Sequence, residues 1–63
     1  MTITYHMGTE GRTWTIERPK LRGTGWTLIY TGSKAKCMEA ALADSEAIAK
    51  RTGQTVTSLF FEV

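Results

Sequence analysis

The sequence predicts an α+β domain of order β-β-β-α-β: an antiparallel meander with one long helix packed on one face, followed by a C-terminal strand. Three observations carry this prediction. One stretch alone, KAKCMEAALADSEAIAKR, has helical composition and period. Three stretches before it alternate apolar and polar residues with the period of two that a half-buried strand requires. After it comes a short apolar run ending in Leu59-Phe60-Phe61. At 63 residues the chain makes one domain, residues 1–63, with a core close to the smallest that folds.

The first strand spans residues 2–7, with Ile3, Tyr5 and Met7 on one face and Thr2, Thr4 and His6 on the other. Gly8-Thr9-Glu10-Gly11 has the composition of a hairpin connection. Residues 12–18 form the second strand, and Pro19, which lacks a ladder donor, ends it. A basic, glycine-containing loop covers residues 19–25. The third strand, 26–31, places Trp26, Leu28 and Tyr30 on one face and Thr27, Ile29 and Thr31 on the other.

The helix is expected from Ser33 to Thr52. Ser33 can accept from a free backbone N–H of the first turn, although Lys36 stands where a capping box has Glu or Gln. Six alanines raise helix propensity, Lys50 and Arg51 suit the last turn, and Gly53 suits the position beyond it. Met38, Leu42 and Ile48 are the expected knobs of a stripe that also holds positions 35, 41, 45, 49 and 52. Cys37 reads as a small residue near the core edge. In the final strand, residues 54–63, Val56 fits one phase while Leu59, Phe61 and Val63 fit the other, so either a bulge near Thr57-Ser58 switches the phase or both faces are covered at this end, by the helix on one side and a partner on the other. A right-handed return lays this strand parallel beside the first or the third.

On this scheme the helix covers Ile3, Tyr5, Trp14, Ile16, Trp26, Leu28 and Tyr30. Replacing either Trp with Ala is then expected to cost about 3–5 kcal/mol. The second face gathers threonines 2, 4, 13, 15, 27 and 31, with His6, Glu17 and Ile29.

Enzymatic function is not expected. The single His, His6, lies on a strand, no Ser has a nucleophile-elbow context, and no Gly-rich stretch has phosphate-loop spacing. One Cys excludes an internal disulfide, and there is no Cys/His cluster for a metal and no motif for a cofactor. The absence of an apolar run of membrane-spanning length, or of a signal-peptide pattern, leads to the expectation of a cytoplasmic protein.

Charge is uneven. In residues 1–32, Arg12, Arg18, Lys20 and Arg22 exceed Glu10 and Glu17 by two; in residues 33–63, Lys34, Lys36, Lys50 and Arg51 balance Glu39, Asp44, Glu46 and Glu62. Arg12, Arg18, Lys20 and Arg22 are therefore the candidate nucleic-acid ligands, since sheets with basic loops can contact phosphates and guanine edges. Trp14-x-Ile16-x-Arg18 on the second strand, Gly25-Trp26 opening the third and Ser33-Lys34-Ala35 opening an Ala-rich helix resemble the small sheet-plus-helix DNA-binding domains of phage-type integrases. That resemblance, over residues 12–50, implies DNA binding. The element order also resembles small uncharacterised bacterial and phage β-β-β-α-β proteins.

The other class, a non-enzymatic protein-interaction module or inhibitor, rests on the edge strands and on Leu59-Phe60-Phe61. Neighbours in a strand face opposite ways, so whichever of Phe60 and Phe61 faces the helix, a large apolar side chain is left uncovered. A homodimer with Phe60 or Phe61 at its interface is the expected consequence.

Overall fold

The computed structural model describes residues 1–62; Val63 lies outside the described residues. Strands β1 (Thr2–Glu10), β2 (Thr13–Pro19) and β3 (Trp26–Gly32) precede helix α1 (Lys34–Thr52), and β4 (Thr57–Glu62) follows it. They form one mixed sheet of order β3-β2-β1-β4, in which β1 pairs antiparallel with β2 and parallel with β4. The return from α1 therefore lays β4 beside the first strand.

The helix ends as its sequence dictates. Ser33 Oγ accepts from Lys36 N–H at 3.2 Å, and Gly53, at φ 70°, donates from its backbone N–H to the Ala49 carbonyl. That left-handed φ is accessible to Gly without the Cβ penalty other residues incur. The residues that α1 buries are Cys37, Ala41, Ser45 and Ile48. Of the three expected knobs, Ile48 is buried, whereas Met38 and Leu42 are exposed. The stripe is rotated because small residues at 37, 41 and 45 let the helix lie close to the sheet. Cys37, expected at the core edge, is fully buried, with its Sγ 3.5 Å from the Trp14 carbonyl oxygen.

Ile3, Tyr5, Met7 and Ile16 supply the buried side chains of the sheet, with Trp14, Ile29, Val56 and Phe60 packed around them. Tyr5 stacks on Phe60 with ring centroids 5.7 Å apart. Lys34 Nζ lies 5.0 Å from the Trp14 ring centroid and also pairs with Glu62.

The phase irregularity falls in β3, not near Thr57-Ser58. Ile16 pairs with Tyr30, but Glu17 pairs with Leu28, so Ile29 is the extra residue of a bulge. Two expectations change as a result. Trp26 and Leu28 leave the helix side and share the opposite face with Glu17, while Ile29 packs against the core. Thr27 pairs with Arg18 on the helix side rather than joining the threonine face. β4 keeps a single phase from Thr57, and Val56 reaches the core from the segment before it.

Candidate interaction face and basic groove

The parallel register of β4 resolves the alternative at Leu59-Phe60-Phe61. Phe60 lies opposite Tyr5 and packs on the core, whereas Leu59 lies opposite Thr4 and Phe61 opposite His6 on the uncovered face. The bulge in β3 brings Trp26 and Leu28 to that same face. Trp26, Leu28, Leu59 and Phe61 remain 50%, 59%, 50% and 55% exposed. His6 joins the two ends of the group: its ring meets Trp26 edge-on at 4.6 Å and Phe61 at 5.3 Å between centroids. Glu17 stands beside His6 and Leu28 in the sheet register, and Thr2, Thr4, Thr13, Thr15, Thr31 and Thr57 complete the face. An aromatic band bordered by hydroxyls thus crosses all four strands. Of the two interface candidates, Phe61 is on this surface and Phe60 is part of the core.

The four basic candidates do not form one site. Arg12 is the second residue of the β1–β2 turn, at the opposite end of β2 from Lys20, roughly 26 Å away along the strand. Arg18 is 9% exposed and faces the helix. Its Nε donates to Asp44 Oδ2 at 2.6 Å, its Nη2 to Asp44 Oδ1 at 3.2 Å, and its Nη1 to the Pro19 carbonyl at 3.3 Å. Tyr5 Oη donates to the same Asp44 Oδ2 at 2.8 Å. The Asp44 hydrogen bond, aided by its charge, raises the Arg18 pKa further; burial, then the hydrogen bond to Asp44, pushes the Tyr5 hydroxyl far above its ordinary value. The three bonds to the Asp44 carboxylate, two from the guanidinium and one from the phenol, tie sheet to helix, so this cluster is a structural fastener.

Lys20 and Arg22 do converge, with a partner that charge counting along the sequence missed. The N-terminus, the β2–β3 loop, the start of β3 and the end of α1 border an open groove of about 630 Å3, where Lys20, Arg22, Thr27, Arg51 and Thr52 stand beside the apolar Met1 and Leu21, with Arg18 at its wall. Arg51 was legible only as a helix-terminal cation. Among the described residues, the ion pairs are Arg18–Asp44, Lys34–Glu62 and Lys36–Glu39, so Lys20, Arg22 and Arg51 carry no carboxylate partner.

Among the described residues no group of three His, Cys, Asp or Glu side chains is placed to hold a metal ion, and no helix is long and apolar enough to cross a membrane. No protein-family model, curated protein or solved structure matches this chain, which leaves the geometry of the open face and the groove as the grounds for a functional reading.

Proposed function

We propose that the protein is a small non-enzymatic interaction module, acting in the cytoplasm, whose open sheet face is its binding surface and whose simplest partner is a second copy of itself. The observation that carries this reading is the cluster of Trp26, Leu28, Leu59 and Phe61, each half exposed or more, on one face of so small a domain. Contiguous exposed apolar surface of this kind marks interaction sites. A face-to-face pairing of two such sheets, each backed by its own helix, would convert two open faces into one sandwich interior.

The small size of the face argues for a weak, transient pairing. Four strands spaced about 4.8 Å apart and about six residues long present roughly 400 Å2 of sheet plane per protomer. That lies below the ~800 Å2 per partner of a standard stable interface, so micromolar association is expected. Sedimentation at about 10 and 300 μM tests it: the mass should rise with concentration, and Phe61→Ser or Trp26→Ser should hold the protein monomeric. A monomer across that range, or a dimer indifferent to both substitutions, overturns the reading.

Nucleic-acid binding is the second reading, favoured by the unpaired Lys20 and Arg22. Arg18, committed to Asp44, is no ligand in it. A low-salt mobility shift lost on Lys20→Ala with Arg22→Ala would support it; no shift with DNA or RNA would end it.

A further inference from the structure

We infer that the groove between the β2–β3 loop and the end of α1 is an anion site that takes phosphoryl groups. Two separate parts of the chain bring free cations to it, Lys20 and Arg22 from the loop and Arg51 from the last helical turn, while Arg18, committed to Asp44, forms part of its wall. Among the described residues no Asp or Glu lines it, and Asp44, the partner of the Arg18 in its wall, is held by Arg18 and Tyr5. A bound anion would face Lys20, Arg22 and Arg51, all exposed on one groove, and its attraction to them should weaken with added salt. The α1 terminus here is its carbonyl end, whose dipole opposes an anion, so the attraction must come from the side chains.

The chemistry of the donors selects the anion. Two guanidinium forks and an ammonium match tetrahedral phosphoryl oxygens, which Arg can engage two at a time. Thr27 adds a hydroxyl at the rim, whereas that of Thr52 is already donated to the Ile48 carbonyl at 2.8 Å. At about 630 Å3 the groove is larger than one phosphate needs and accommodates a ligand with two or more phosphoryl groups. Such groups can come from a small diphosphate or from consecutive phosphates of a single-stranded nucleic acid; the same donors serve both. This site is separate from the sheet face, and it stands whether or not that face pairs.

The test is titration of the full chain, 15N-labelled, with inorganic pyrophosphate and, separately, with a twelve-nucleotide oligothymidylate. Saturable amide shifts at Lys20, Leu21, Arg22, Thr27, Arg51 and Thr52 are expected with at least one probe. Saturation by pyrophosphate identifies a small-ligand site; saturation by the oligonucleotide alone identifies a backbone site. Arg22→Ala and Arg51→Ala should each weaken binding about tenfold or more, as loss of a charged hydrogen-bond donor does. Arg12→Ala, at the far end of the sheet, should leave it unchanged. Among the described residues neither arginine side chain makes an ion pair, and the amide spectrum of each variant confirms folding directly. Absence of saturable shifts with both probes, equal weakening by Arg12→Ala, or indifference to Arg22→Ala and Arg51→Ala overturns the inference. Phe61→Ser should leave the titration unaltered, which separates failure here from failure of the sheet-face reading.

Discussion

Arg18 and Asp44, 26 positions apart, form a two-point ion pair that joins β2 to α1, with Nε–Oδ2 at 2.6 Å and Nη2–Oδ1 at 3.2 Å. Their side chains are only 10% and 20% exposed. Removing either partner strands the other in a partly desolvated position, which costs more than an exposed pair contributes. Arg18→Ala and Asp44→Ala should each lower stability by about 2–3 kcal/mol in urea denaturation. Arg18→Lys should recover only part of this, because an ammonium cannot occupy both carboxylate oxygens in the same fork. If the double variant shows no coupling between the two sites, the pair is not the fastener described here.

Tyr5 gives this cluster a pH signature. Its folded pKa is raised above the ordinary 10.0, chiefly by burial and next by the bond it donates to Asp44. Its contribution is whole below pH 10, where both states keep the proton. Above that, the unfolded chain releases a proton that the folded chain retains, so stability falls as pH rises. The slope for this one group is at most about 1.4 kcal/mol per pH unit. The advantage of the native protein over Tyr5→Phe should therefore shrink between pH 10 and 11.5. Parallel stability curves for the two proteins would show that Tyr5 is not held in this way.

The two faces of the sheet predict opposite costs for truncation. Ile16 is fully buried and Trp26 half exposed. Ile16→Ala should cost about 2–5 kcal/mol, comparable to the whole stability of a small domain. Trp26→Ala should cost below about 1 kcal/mol, not the 3–5 expected of a Trp under the helix. Thermal unfolding of both variants at a concentration where the protein is monomeric makes the comparison.

Two glycines should respond with opposite sign. Gly8 sits in β1 with an ordinary φ and open space where a Cβ would go. Gly8→Thr should raise stability by about 0.4–1 kcal/mol, through a stiffer unfolded chain and a better strand residue. Gly53→Ala, at φ 70°, should lower it by about 1 kcal/mol by straining the end of α1. Chemical denaturation midpoints read both.

The fold was largely legible because its signals are local. Ser33 and Gly53 delimit the helix, and alternation from Thr2 to Met7 and from Thr13 to Arg18 defines two strands. The β3 bulge was not legible: no Gly or Pro lies at Ile29, and the shift is set by pairing with Ile16 and Glu17. That one residue decides the outward placement of Trp26 and Leu28, so half of the open apolar face was hidden from the sequence. Phe61 was foreseen as one of two alternatives, and only the register of β4 against β1 chose between them. Arg18 looked like a surface cation because Asp44, its partner, lies on another element. Arg51 joins Lys20 and Arg22 only in three dimensions.

The parallel pairing of β1 with β4 has a consequence for synthesis. Met1 donates from its amine to the Thr55 carbonyl, 54 positions on, and Thr57 N–H donates to the Met1 carbonyl. As the chain emerges from the ribosome, β1 can pair with β2 early, but its other edge has no partner until residues 57–62 follow. At roughly 5–20 residues per second, that edge stays open for roughly 3–11 s. During that interval the unsatisfied ladder groups of β1 are a template for any extended chain nearby. The edge closes only when Thr57–Glu62 pair along Thr2–Met7, so the last strand of the chain is also what ends its exposure.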